Sequence, residues 1–251
     1  MLPTLSIGSI ALPTYPLLLL VALWGGLAVA AARARNLNLD GDHIYNAGLY
    51  GLIAGILGAR IWFVLSHWEN YRPDITQAFS FSRSALSAGE GLLIAGLIVL
   101  IYLQRNKVPI GLFLDAAAPG LAIGIVIGNI GAFLGGEALG APAAVPWAIE
   151  IFDVLRHPVQ LYEAGATLII LVLLYVYRRW RPWPSFQFWL FLLCYSLSRL
   201  ILEVFRARPQ LIGDGFLAIQ VLALGTIIVA LAVMALKFTS SSVAIQQVEE
   251  L

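Results

Sequence analysis

The chain has 251 residues, 60% hydrophobic and 12% charged, with a mean hydropathy of +0.87; soluble domains are about half apolar and about a quarter charged, so these values exclude a soluble domain and predict a membrane protein. The 15 basic and 14 acidic side chains leave a net charge of +1, which excludes a basic face for nucleic acid and an acidic disordered tail. A lone cysteine, Cys194, excludes an internal disulfide, and no pairing of cysteine with the three histidines offers a structural zinc site.

A hydrocarbon core about 30 Å thick takes about 20 helical residues. Segments of that kind are predicted from Tyr15 to Ala32, Ile44 to Leu65, Ala88 to Leu103, Gly111 to Phe133, Pro158 to Tyr177, Phe186 to Phe205 and Gly213 to Leu236. The expectation is an all-α polytopic membrane protein with seven transmembrane helices. Residues 1–238 form the single membrane domain, and 239–251 form a short polar cytoplasmic tail. In and just after the fourth segment, Pro119 and seven glycines between Gly111 and Gly136 invite a kink or break. No basic residue precedes Arg33, so the first segment lacks the charged start of a cleaved signal peptide and is expected to remain.

Short cytoplasmic loops collect Lys and Arg. Arg33, Arg35, Arg105, Lys107, Arg178, Arg179, Arg181 and Lys237 all follow odd-numbered segments, whereas Arg72, Arg83, Arg156, Arg206 and Arg208 lie on the other side beside acids including Asp214. This predicts the N-terminus outside and the C-terminus cytoplasmic, with Trp180 and Trp183 in a cytoplasmic interfacial belt.

Ionisable groups within spans are costly and mark candidate sites. Arg60, Asp115, Glu163, Arg199 and Glu203 are of this kind. Arg199 and Glu203, four apart, share a helix face and can neutralise each other; Arg206 extends that face by one turn, and three stacked charges suit a lipid headgroup. Asp115, near the start of its segment, suits a helix N-terminus. The outward loop between segments four and five carries Glu137, Glu150, Asp153, Arg156, His157, Gln160, Tyr162 and Glu163. Glycines at 128, 131, 135, 136 and 140 serve either close approach of backbone to a ligand or helix packing through small residues. His43 reads as a loop residue, His67 as an interfacial one and Cys194 as an inert core thiol. No HExxH, GxSxG or phosphate-loop spacing occurs, and neither a metal nor a cofactor is expected.

The stretch RHPVQLYE, Arg156 to Glu163, resembles the RHPxQLYE signature of the bacterial prolipoprotein diacylglyceryl transferase family. GGEALGAP, ending at Pro142 and followed by Pro146 and Trp147, is similar to its NGExxGRP and PW elements. RLILEVFR, with Arg199, Glu203, Phe205 and Arg206, is similar to RxxxEFFR, and Arg60 in GARIWFVL to GxRxxYV. Tyr15 matches the tyrosine that opens the family's first span.

The resemblance implies transfer of the diacylglyceryl group of phosphatidylglycerol, or a similar phospholipid, to the lipobox cysteine of a prolipoprotein signal peptide. The product is a thioether and glycerol 1-phosphate leaves. It further implies a bacterial plasma (inner) membrane location with the site toward the outer leaflet. Catalytic roles fall on Tyr15, Glu137, Arg199 and Glu203, and substrate binding on Arg60, Gly140, Arg156, His157, Gln160, Tyr162 and Arg206.

The chain departs from the family at several places. The HGG histidine is missing from Ala88, Gly89, Glu90, Gly91, Leu92, and GRxGNFxNGE becomes GNIGAFLGGE. Asn129 therefore stands for an arginine, Ala132 and Gly135 for asparagines, and Ala141 for the later arginine. Three readings follow. Glu90, His67 or His157 supplies the lost functions, with Glu90 the catalytic candidate and Asn129 kept as a binding residue; the chain binds lipid as an accessory protein; or it acts on another lipid or acceptor.

Overall fold

The computed structural model describes residues 2–7, 10–79, 87–151, 153–207, 211–212 and 216–249, so Arg83, Arg208, Gly213 and Asp214 lie outside the described residues. A hairpin, β1 (Thr4–Ile7) and β2 (Ile10–Pro13), leads into α1 (Thr14–Arg35). Then come α2 (Asp42–Ser66), the single turn α3 (Trp68–Tyr71), α4 (Ala88–Arg105) and α5 (Ile110–Gly135). A second hairpin, β3 (Ile149–Ile151) with β4 (Val154–Arg156), precedes α6 (Val159–Val176) and α7 (Phe186–Leu202). The short pair β5 (Leu211–Ile212) and β6 (Phe216–Leu217) leads into α8 (Ala218–Glu249), which continues through the stretch read as a tail.

Among the described residues six helices are long and apolar enough to cross a membrane: α1, α2, α5, α6, α7 and α8. The third expected span is α4, whose 18 residues include Glu90 in the first turn and Arg105 at the end; at about 1.5 Å per residue it measures about 27 Å, just short of a bilayer core. Large apolar side chains face outward, as with Leu93 at 75% exposure, an arrangement that only a lipid solvent accommodates.

Helix pairing runs α1 on α5, α2 on α4, α5 on α6, α6 on α7 and α7 on α8. Two pairs meet through small residues. A Cβ added at Gly120 would stand 2.4 Å from the Gly26 carbonyl oxygen, and one at Gly91 would stand 2.7 Å from the Gly55 oxygen. In lipid, helices associate by close van der Waals packing, and glycine lets the backbones approach. Pro119 does not break its helix: α5 is continuous from Ile110 to Gly135. The break expected there is absent because flanking helices α1 and α6 pack along α5 and hold it.

The antiparallel order brings two clusters of polar groups to opposite ends of the bundle. At one end Asp115, fully buried in α5, accepts from the backbone N–H of Ser185 (3.0 Å), Gln187 (2.8 Å) and Phe188 (3.3 Å). The acid therefore serves a helix N-terminus as expected, but that of α7 rather than of its own helix. Trp180 is exposed there as an interfacial ring should be, whereas Trp183 is buried edge-on against Phe186 and Phe238. The other end carries the candidate site.

Candidate functional site

Helix α7 ends at Leu202, and Glu203–Phe205 tighten into a 3-10 turn that turns Arg206 out as extended backbone. Arg206 thus leaves the helix face on which the sequence placed it, yet it rejoins Arg199 through a shared partner. Glu163, one turn into α6 and 5% exposed, accepts through Oε1 from Arg199 Nη1 at 2.5 Å and from Arg206 Nη2 at 2.6 Å. Glu203, 3% exposed, accepts from Arg199 Nη2 at 2.6 Å and lies 3.4 Å from Arg206 Nε. Two buried carboxylates and two guanidiniums form a closed, net-neutral quartet. Each guanidinium offers five N–H groups, so these contacts leave donors on both arginines for a further anion.

A loop threads beside this quartet. Leu139 accepts from Ala207 N at 3.0 Å, Ala141 N donates to Phe205 O at 2.7 Å, and His157 N donates to Ala141 O at 3.0 Å. Segment 139–143 is thereby the middle strand between the Arg206 end of α7 and the Arg156 end of β4, with bridges Gly140 to Arg206 and Pro142 to Arg156. Gly140 is required here: a Cβ would fall 2.0 Å from the His157 carbonyl oxygen. Arg156 Nη1 donates to Gly140 O (3.2 Å) and Gln160 Nε2 to Glu137 O (2.6 Å), so both side chains clamp the loop. Arg156 Nε and Gln160 Oε1 are buried without a hydrogen-bond partner among the described residues, leaving one donor and one acceptor at this mouth.

Trp147 Nε1 donates to the Tyr162 hydroxyl at 2.6 Å, and that hydroxyl lies 3.2 Å from His157 Nδ1. The Tyr162 hydroxyl thus links the indole to the imidazole, and the His157 ring packs edge-on to Phe205. His157 Nδ1 is thus engaged in a hydrogen bond with Tyr162.

The remaining sequence candidates divide. Tyr15 opens α1 against Gly135, where a Cβ would approach its own Cβ to 2.8 Å. This close approach excludes the side chain that the family pattern has at position 135. Glu137 is exposed just past the αL cap Gly136, and Asn129 is half-buried near the same end of α5. Arg60 and Glu90 belong to the α2–α4 pair instead. Arg60 is buried, donates to Gln77 O at 2.8 Å and lies 5.4 Å over the Tyr71 ring, which ties it to the loop after α2. Asp74 orders that loop by accepting from Thr76 Oγ1 (2.6 Å), Thr76 N (3.1 Å) and Gln77 Nε2 (3.2 Å); these bonds, the Thr76 hydroxyl first, hold its carboxyl below the usual range. His67, also on this side, stacks on Phe63 at 4.3 Å and must donate from Nδ1 to Phe63 O (3.0 Å), so its lone pair sits on Nε2.

Among the described residues no group of three or more His, Cys, Asp or Glu is placed to hold a metal. The residue underrated in the sequence is Glu163. Its signal was its place one helical turn past Arg156–Gln160, beside two arginines that needed a second acid.

A family profile described as prolipoprotein diacylglyceryl transferase matches residues 3–236. The phosphatidylglycerol-prolipoprotein diacylglyceryl transferase of Finegoldia magna is 28% identical over 234 residues, covering 93% of this chain and 94% of that one. Its Thermus thermophilus counterpart is 30% identical over 262 aligned residues, covering 90% and 94%, and that of Clostridioides difficile is 25% identical over 213, covering 85% and 86%. The chain belongs to the prolipoprotein diacylglyceryl transferase family.

Proposed function

We propose that this family member is a membrane-integral transferase that moves the diacylglyceryl group of phosphatidylglycerol to the lipobox cysteine of a prolipoprotein. The observation that carries the reading is the quartet of Arg199, Arg206, Glu163 and Glu203, with arginine donors to spare beside the Gly140 loop. In the reaction the acceptor sulfur attacks the glycerol carbon that bears the phosphoester. The C–S bond forms, the C–O bond breaks with its electron pair on oxygen, the thiol proton passes to a base, and glycerol 1-phosphate leaves.

Charge grows on the departing phosphate, so fixed cations already aimed at it lower the barrier without reorganising during the step. Arg199 and Arg206 fill that role, and Glu163 and Glu203 hold them in register. Gln160 and Arg156 fit the glycerol headgroup at the loop, Glu137 and Asn129 line its approach, and Tyr15 donates a hydrogen bond. The chain is one domain over 1–238 with seven spans, α4 being the seventh, in the bacterial plasma membrane. Its N-terminus and site face outward and the arginine-rich end faces the cytoplasm, as the distribution of basic residues favours.

The test is transfer from phosphatidylglycerol to a lipobox peptide, followed by mass, with purified wild-type protein and Arg199→Ala. Wild type should add one diacylglyceryl unit to the cysteine, and a folded Arg199→Ala variant should add none. Full activity in that variant would overturn the site. A wild-type protein that binds the lipid and lipidates no peptide would overturn the reaction.

A further inference from the structure

The opposite end of the bundle carries a second concentration of cations that the transferase reaction does not use. Arg33, Arg178 and Arg181 lie close enough to act on one another where α1 meets the α6–α7 turn, and Arg179 is exposed beside them in the chain. Arg33 Nη2 donates to Arg178 O (2.8 Å) and Gln187 Oε1 (3.1 Å), and the Arg178 guanidinium lies 3.9 Å from the Tyr175 ring centroid. The carboxylate among them is Asp115, 4.0 Å from Arg181, and its oxygens already serve three backbone N–H groups of α7. Asp40 and Asp42 sit at the α1–α2 turn, where Asp42 N donates to Asp40 Oδ1 and Arg35 overlies Gly41. Among the described residues this cluster is thus three guanidiniums, Arg33, Arg178 and Arg181, against the one carboxylate of Asp115, a local excess of positive charge.

Two further features show that this place is built to take an acceptor. Trp183 Nε1 is a buried donor with no hydrogen-bond partner among the described residues, in a side chain 7% exposed, and Arg181 Nη1, whose ion-pair partner Asp115 stands 4.0 Å away, makes no hydrogen bond either. Near the cations Val172, Val176, Trp180 and Phe238 are exposed apolar side chains, and the Trp180 and Phe238 rings lie 6.3 Å apart. A rule favouring cytoplasmic arginines accounts for the number of charges, but not for aromatic rings and unspent donors set around them.

We propose that this end binds an anionic glycerophospholipid of the leaflet it faces, with the phosphodiester among Arg178, Arg179 and Arg181 and the acyl chains along the α6–α8 face. Phosphate oxygens supply the missing acceptors, and the apolar face selects a lipid over a free phosphate. The site is separate from the quartet and does not depend on the transferase reading.

The test uses vesicles containing photoactivatable phosphatidylglycerol or photoactivatable phosphatidylcholine, with cross-linked residues mapped by mass. Preferential labelling of 172–181 by phosphatidylglycerol is expected. Arg178→Gln/Arg179→Gln should weaken that preference about 30-fold, the value for two surface cations contributing about 1 kcal/mol each. This variant leaves the Arg181–Asp115 contact in place, and an unaltered thermal melt in detergent reports that it is folded. Equal labelling of 172–181 by the two lipids in the wild type overturns the site whatever the variant does. Undiminished preference in a folded variant overturns the arginine assignment, and displacement by millimolar free glycerol phosphate overturns the lipid as occupant.

Discussion

Replacing Glu163 by Gln keeps the shape of the side chain and one acceptor oxygen but removes the charge that joins two arginines through a single atom. Breaking a buried ion pair costs about 3 to 5 kcal/mol, and the retained amide oxygen places this change at the lower end, about 3 kcal/mol. For a chain of this size that corresponds to a Tm lower by about 6 to 12 °C. Glu203→Gln should cost roughly half as much, because Glu203 has one close contact at 2.6 Å and a longer one at 3.4 Å. In Glu163→Gln both cations remain but lose their common anchor. The KM for phosphatidylglycerol should therefore stay level while kcat falls about 100-fold, the equivalent of about 3 kcal/mol of misplaced transition-state stabilisation. Thermal melts in detergent and steady-state transfer to a lipobox peptide measure both. A Glu163→Gln protein with wild-type Tm and kcat, or a larger loss in Glu203→Gln, would refute the idea that Glu163 anchors the arginines.

Gly140→Ala should destabilise by about 3 kcal/mol or more and abolish transfer, since its Cβ meets the His157 carbonyl at 2.0 Å, whereas Gly128→Ala, whose nearest neighbour is Leu19 at 3.8 Å, should leave the Tm unchanged. A reporter fused after Lys237 should read as cytoplasmic and one inserted near Asp153 as external; the reverse would invert the assigned sides of both lipid sites. Because the Asp74 carboxyl is held below its usual range, its bonds support the 75–79 turn above the unfolded value of about 3.9 and lose that support as pH falls through the folded value. The protection of this turn against hydrogen exchange, taken relative to the unstructured rate at each pH, should be level from neutral pH down to about 4 and fall only below it, and a fall near pH 6 would assign the support to another group.

Six of the seven expected spans, α1, α2, α5, α6, α7 and α8, were legible because twenty-residue apolar runs have few alternatives in lipid. The quartet was legible in part. Spacing of four reveals the pair Arg199 and Glu203, but nothing local joins either residue to Glu163, 36 positions away, until α6 packs on α7. Asp115 illustrates the same limit, since its three partners lie 70 to 73 residues on, at the start of α7. Glycine was ambiguous in sequence for a physical reason. A missing Cβ permits both uses, and the chain makes both: Gly120 and Gly91 bring helices together, while Gly140 lets one loop backbone pass against another. Pro119 read as a possible break because local rules count the hydrogen bond a proline removes and cannot count the neighbours that hold the helix around it.

The proton acceptor for the thiol is the last element the reaction needs, and the three candidates differ in what their atoms are free to do. His157 Nδ1 is already hydrogen-bonded to the Tyr162 hydroxyl, so freeing it for the thiol would first break the Trp147–Tyr162–His157 chain. In the neutral ring His67 presents its lone pair on Nε2, but the ring is exposed past the end of α2, stacked on Phe63. Glu90 sits half-buried in the first turn of α4, where Gly91 packs against Gly55 and Ala59 and fixes that turn on α2. In water a thiol and a carboxylic acid differ by about 4 pK units, so complete transfer to a carboxylate is uphill by about 6 kcal/mol. A transfer concerted with C–S formation and phosphate departure need never reach that separated state, and general bases of this kind contribute about 10²-fold to 10⁴-fold. An acid in a first turn is also favourable to its own helix by about 0.3 to 1 kcal/mol, which would explain Glu90 with no chemistry at all. Glu90→Gln separates the two roles, because the amide keeps the volume and hydrogen bonding but cannot accept the proton. The expected outcome is a kcat at least about 100-fold lower, with KM unchanged and the Tm lower by no more than about 4 °C, as the loss of a single helix-end charge allows. Undiminished turnover in Glu90→Gln would confine Glu90 to the helix end and pass the acceptor role to His67 or His157, to be tested by the same substitution.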